Sequence, residues 1–156
     1  MLVRRLALLL ALLLLAGCTR DPPRLEDYVR LDDPAPPPIA AAPGEARLVA
    51  LWASWCAPCV QEVPALAALA RDPPDGLAVT VVAVGEPPEK ARAAFPSEAR
   101  VIGDEDSTLA EALRVGALPV SFLVRGDRLV ARFEGARDWD DRPARHTLVR
   151  LLAQEE

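Results

Sequence analysis

The sequence predicts an α/β domain built on a central mixed sheet with helices on both faces. Three observations predict it. Apolar runs at Arg47–Ala53 and Leu77–Val84 bracket Pro58–Arg71, whose Val60, Val63, Leu66, Leu69 and Ala70 recur at helical spacing, giving the order of a right-handed βαβ unit. The continuous apolarity of Leu77–Val84 marks a strand covered on both faces, as in parallel sheets. Further on, Ser121–Val124 and Leu129–Phe133 flank Arg125-Gly126-Asp127-Arg128 as an antiparallel hairpin, which makes the sheet mixed. The Arg-Gly-Asp triplet is read as a turn, because Gly and Asp are what a hairpin loop requires.

The elements follow in order from the N-terminus. Residues 1–17 read as an export signal: Arg4 and Arg5 form a positive start, and Leu6–Leu15 is a Leu/Ala run too short to span a bilayer. The run ends in Leu15-Ala16-Gly17-Cys18, which resembles the lipobox of bacterial lipoproteins and implies that Cys18 is lipidated and becomes the first mature residue. Residues 18–46 are dense in proline (Pro22, Pro23, Pro34, Pro36, Pro37, Pro38, Pro43) and read as a lipid-anchored, semi-rigid linker. Leu25, Tyr28, Val29 and Leu31 could dock a short segment there, with strand and helix both open. The domain is placed at 47–156. Within it, Pro87–Phe95 is expected as a short helix and Arg100–Ile102 as a minor strand. Thr108–Val115 should be a helix opened by the capping box Thr108-x-x-Glu111. A last helix starts near Pro143, with Asp141 as cap, and carries Leu148, Val149, Leu151 and Leu152.

Composition narrows the function. The chain has 156 residues, a formal charge of -5 and no basic block, so the electrostatic footprint of a nucleic-acid binder is missing. Three cysteines and one histidine are too few for a structural zinc site built from paired Cys-X-X-Cys motifs. With Cys18 lipidated, Cys56 and Cys59 remain as a pair, and export places them where disulfides persist unless something reduces them. A dithiol, a copper site and an inert structural disulfide all stay open from the pair alone, although a two-residue loop constrains little of the unfolded chain.

The setting of the pair points to redox chemistry. At a strand-to-helix junction, Cys56 would sit at a helix N-terminus, where free backbone amides and the helix dipole favour the thiolate. Cys59, three residues on, would share its face but lie deeper, so Cys56 is the candidate nucleophile and Cys59 the resolving thiol. Pro58 suits the first helical turn. Asp104 and Asp106 read as a loop and cap cluster, and His146 as a solvated helix residue.

Trp55-Cys56-Ala57-Pro58-Cys59 after an apolar strand, with Pro64 inside the helix, resembles the active site of the thioredoxin superfamily. Gly116-Ala117-Leu118-Pro119-Val120-Ser121-Phe122-Leu123-Val124 resembles that family's loop with a cis proline ahead of a strand. The resemblance implies a thioredoxin-like fold with Pro119 cis and facing the cysteines. It also implies that Trp55, Ala57, Pro58 and Leu118 contact substrate, with the Cys56–Cys59 disulfide as the redox group and no metal or other cofactor. The export signal, the segment between Val84 and Asp106 and the Trp139 region are similar to the membrane-anchored TlpA/ResA-type thiol-disulfide oxidoreductases. That likeness implies a protein-disulfide reductase on the periplasmic or extracytoplasmic side of a bacterial membrane, anchored through lipid on Cys18 and recharged by a membrane electron donor. Its partners would be exported proteins carrying disulfides, such as apocytochrome c or copper-site proteins of cytochrome oxidase. The position six before Cys56, acidic in thioredoxin, is Ala50 here; Glu86, at the end of the second apolar strand, is the candidate proton acceptor in its place. The alternative is a copper chaperone, since soft thiolates suit Cu(I). Sco-type copper proteins, however, use Cys-X-X-X-Cys with a histidine.

Overall fold

The computed structural model describes residues 28–154; residues 1–17, read above as an export signal, and Cys18 lie outside the described residues. The described residues hold six strands and four helices, in chain order β1 Tyr28–Pro34, β2 Ala46–Trp52, α1 Ala57–Arg71, β3 Leu77–Val84, α2 Glu89–Ala94, β4 Arg100–Asp104, α3 Thr108–Ala112, β5 Val120–Arg125, β6 Arg128–Glu134 and α4 Arg142–Ala153. They form one sheet in the order β1-β6-β5-β2-β3-β4. β2 pairs parallel with β3, and β3 with β4, while β5 joins β2, β6 joins β5, and β1 joins β6 in antiparallel fashion.

The apolar run of β2 divides between the two faces with period two, as strand geometry requires. Leu48, Ala50 and Trp52 pack with Leu66 and Leu69 of α1, Ala91 before Phe95, and Leu148 and Leu151 of α4. Val49 and Leu51 face the other way, against Leu109 and Leu113 around α3. Helices therefore cover both faces of a mixed sheet, which is why β2 and β3 read as continuous apolar runs.

The sheet begins before Arg47. Tyr28–Pro34, inside the segment read as a Pro-rich linker, is an edge strand on β6, and the Tyr28 ring lies 5.6 Å from that of Phe133. Ile39 has no exposed surface and seals the α3 face. Ala35 and Ala41 donate to the hairpin carbonyls of Asp127 and Gly126, both at 2.7 Å. The prolines at 34, 36, 37 and 38 sit where the chain leaves the ladder, a position that needs no donor from them.

The α3 cap comes from the Asp104–Asp106 cluster and not from the Thr108-x-x-Glu111 capping box. Ser107, ahead of the helix, has a φ of 61°, and Thr108 does not cap. The buried Asp104 carboxylate does: Oδ1 accepts the Leu109 N–H and Oδ2 the Ala110 N–H, each at 2.9 Å. Asp106 instead closes a local turn through Thr108 N and Oγ1, bonds that hold its carboxyl below the usual carboxylate range. Asp141 caps α4 as expected, accepting the Ala144 N–H at 2.6 Å. Asp104→Ala removes two bonds at one buried helix end and should cost about 2 kcal/mol. Urea unfolding measures this, and an unchanged midpoint would show that other contacts hold α3.

Candidate active site

The chemistry sits where β2 and β3 end. β2 stops at Trp52, a turn spans 53–55, and Cys56 is the N-cap of α1, with Pro58 in the helix's first turn. A disulfide joins Cys56 to Cys59, with Cα atoms 5.2 Å apart. The Cys59 N–H points at Cys56 Sγ, 3.3 Å away, so an unpaired helix amide is already aimed at the atom that becomes a thiolate on reduction. Such a donor favours the ionised sulfur. Cys56 retains 7% exposure and Cys59 none. Cys56 is thus the less enclosed residue of the pair.

The neighbouring residues fix this geometry. Buried Trp52 donates its indole N–H to the Cys59 carbonyl at 3.1 Å, tying the strand end to the helix. Pro64 lies inside α1, where its missing N–H leaves the Val60 carbonyl without its helical donor. Val60, assigned to the buried stripe from its spacing, is instead 47% exposed. The helix turns Cys59, Glu62, Leu66 and Leu69 inward. Trp55 is 66% exposed, and Ala57 and Pro58 are also exposed, so all three sit on the surface around Cys56. The Leu118–Pro119 bond is cis. Leu51 pairs with Val120, which sets Pro119 at the same sheet edge as the cysteines, with Leu118 half-buried beside it. His146 is exposed on α4, and among the described residues no three of His, Cys, Asp and Glu cluster as metal ligands.

No family model and no curated protein sequence matches the chain. Solved structures do. A thiol:disulfide interchange protein, DsbE, from Chlorobium tepidum superposes with a TM-score of 0.64 at 24% identity, covering 80% of this chain and 99% of its own. The chain has the thioredoxin fold. A secreted Mycobacterium tuberculosis disulfide oxidoreductase described as homologous to E. coli DsbE aligns with a TM-score of 0.55 at 17% identity, over 72% of this chain and 84% of that one. The exposed lipoprotein thioredoxin of Streptococcus pneumoniae gives 0.56 at 19%, over 72% and 86%. Among the described residues no helix is long and apolar enough to cross a membrane.

Two buried carboxylates stand on the elements that carry and flank Cys56 and Cys59. Glu86 follows β3 at the same sheet edge, is buried, and binds Ser54: Oε1 accepts the backbone N–H at 2.7 Å and Oε2 the hydroxyl at 2.6 Å. Glu62, which the sequence reading passed over, lies three residues after Cys59 on the inward face of α1, with 3% exposure. Its Oε1 accepts the Arg137 backbone N–H at 3.0 Å and the Trp139 indole N–H at 2.5 Å. Burial pushes the Glu62 carboxyl up from an ordinary 4.5 to about 7, against the pull of those two bonds and the Arg137 charge. Glu62 also lines a cleft of about 450 Å³ with Gln61, Pro64 and Arg137. The signal that marks it is positional: the helical period that buries Cys59, Leu66 and Leu69 puts position 62 on the same side.

Proposed function

We propose that this protein is an extracytoplasmic thiol-disulfide oxidoreductase that, as the dithiol, reduces disulfides in exported proteins. The observation that carries the reading is the asymmetric pair: Cys56 keeps 7% exposure at a helix N-terminus with an amide aimed at its sulfur, and Cys59, one turn on, has none. The Cys56 thiolate attacks one sulfur of the partner disulfide. A Cys56–partner S–S bond forms, the partner's own S–S bond breaks, and the released partner thiolate takes a proton from water. Cys59 then loses its proton and attacks Cys56 Sγ: the Cys56–Cys59 disulfide forms, the Cys56–partner bond breaks, and the second partner sulfur leaves as a thiolate that takes a proton from water. Two electrons pass to the partner. Glu62 is the acceptor we assign for the Cys59 proton, because residues three apart on a helix are neighbours and a carboxyl near 7 can take and return a proton at neutral pH.

The supporting likenesses come from the comparisons: one matched protein is named for thiol:disulfide interchange, another is secreted, and a third is an exposed lipoprotein. Together with the export signal at 1–17 and the Leu15-Ala16-Gly17-Cys18 motif, they support a domain held by lipid on Cys18 at the outer side of a bacterial membrane. In that location the partners are apocytochrome c or copper-site proteins, and a membrane electron donor restores the dithiol. The reduced protein should reduce insulin disulfides, and Cys56→Ala should abolish that activity. Failure of the wild type to reduce insulin, with Cu(I) retained in equimolar amount through gel filtration, would replace the enzyme with a copper carrier.

A further inference from the structure

Glu86 leaves β3 through Gly85, whose φ of +67° lies in the left-handed region that favours glycine. This turn brings the buried carboxylate back over the end of β2, 32 residues earlier, where each oxygen takes one donor of Ser54. Ser54 stands two residues before Cys56, in a turn whose own backbone tie is the 3.2 Å bond from Cys56 N to the Ala53 carbonyl. Ser54 and Trp55 are exposed while the carboxylate that holds them is buried. An anionic acceptor with two short bonds is a strong anchor for an otherwise solvent-facing loop.

We propose that Glu86 is a positioning residue that clamps the 53–56 turn and so fixes the Cys56 sulfur against the helix amide, with the Cys59 proton left to Glu62. The proposal rests on the thiol-disulfide reading above. Its importance lies in the reduced state. In the oxidised protein the Cys56–Cys59 bond itself restrains Cys56 Sγ; once that bond opens, the turn must hold the nucleophile in line for attack. Trp52 anchors Cys59 through its carbonyl, and the Ser54–Glu86 pair anchors the other side of the nucleophile.

Glutamine separates a clamp from a base. Its Oε1 can accept the Ser54 N–H and its Nε2 can donate to the Ser54 hydroxyl, which keeps both contacts, but it cannot take up a proton as a carboxylate does. Alanine removes contacts and charge together. The test follows reaction of the reduced full-length protein with dithionitrobenzoate, a small disulfide that needs no recognition of a protein partner. Glu86→Ala should slow attack by Cys56 about tenfold, a loss of alignment, whereas Glu86→Gln should stay within about twofold of wild type. Ser54→Ala, which keeps the backbone bond, should fall between them, and Ser54→Thr should match wild type; these two carry the test if Glu86→Ala does not fold. Hydrogen exchange of the Ser54 amide, which requires no activity, should be slow in wild type and Glu86→Gln and fast in Glu86→Ala. Glu86→Gln as slow as Glu86→Ala in the reaction, Glu86→Ala at the wild-type rate, or a freely exchanging Ser54 amide in wild type would each overturn the clamp. Loss of insulin reduction with the dithionitrobenzoate series intact would instead overturn the proposed function and leave the clamp standing.

Discussion

Replacing Cys59 by alanine should make the protein accumulate as a mixed disulfide with oxidised insulin, linked through Cys56, while Cys56→Ala should form almost none. The asymmetry follows from the two sulfurs' surroundings. Cys56 keeps some exposure and faces the Cys59 amide, whereas Cys59 has no accessible surface, so a partner disulfide meets only the first. In the wild type the adduct is short-lived, because a thiol held one helical turn away attacks at an effective molarity on the order of 10⁵ M. With Cys59 gone, only thiols from solution can resolve the adduct, and its lifetime should rise by several orders of magnitude. Intact-mass measurement under non-reducing conditions reads the result. Equal adduct formation by the two variants would remove the assignment of nucleophile and resolving thiol. Iodoacetamide labelling of the reduced wild type near neutral pH should agree, modifying Cys56 first.

The parts of this site that were legible in the sequence are those written in local pattern. The Cys-X-X-Cys spacing, the strand before it and Pro58 in the first turn lie within one continuous stretch; continuous apolar runs placed β2 and β3, helical spacing placed α1, and a Gly-Asp turn between two apolar runs placed the β5–β6 hairpin. What local pattern could not show was long-range partnership. Tyr28–Pro34 carries Arg30, Asp32 and Asp33 among its apolar residues, as suits an edge strand with exposed side chains, and the prolines after it resemble a linker until Ile39 is seen under the sheet. The Thr108-x-x-Glu111 pattern matched a capping box, but Asp104, from the preceding strand, caps the helix instead by taking the Leu109 and Ala110 amides. Glu86 could be placed at the right sheet edge from the strand before it. Its hold on Ser54 could not, because 32 residues separate them. Glu62 breaks the usual rule that an acidic residue on a helix lies on the solvated face, and only its register with Cys59, Leu66 and Leu69 marks it as buried.

That buried carboxyl should set how stability depends on pH, and Glu62→Gln should reverse the effect. In the unfolded chain the group titrates near 4.5, and in the folded protein near 7, because burial disfavours its charged form. Between those values the native state keeps a proton that the unfolded state has lost. Stability must therefore fall as pH rises through that window, with the loss complete above about 7. The full difference is about 3 kcal/mol, taking about 1.4 kcal/mol for each pH unit. Glutamine presents the same acceptor oxygen to the Arg137 N–H and the Trp139 indole but carries no charge to desolvate. Oxidised Glu62→Gln should match wild type near pH 4 and exceed it by up to about 3 kcal/mol at pH 8, as read by urea unfolding at several pH values. The same change removes the proton acceptor assigned to Cys59. Resolution of a Cys56 mixed disulfide should then slow at neutral pH and recover as rising pH lets hydroxide take the Cys59 proton. A more stable but slower protein is the expected outcome, since the wild type keeps a costly buried charge where the reaction uses it. Parallel stability curves for wild type and Glu62→Gln between pH 4 and 8 would deny the carboxyl its raised pKa. An unchanged resolution rate with the stability gain present would leave Glu62 buried and titrating, but outside the proton path.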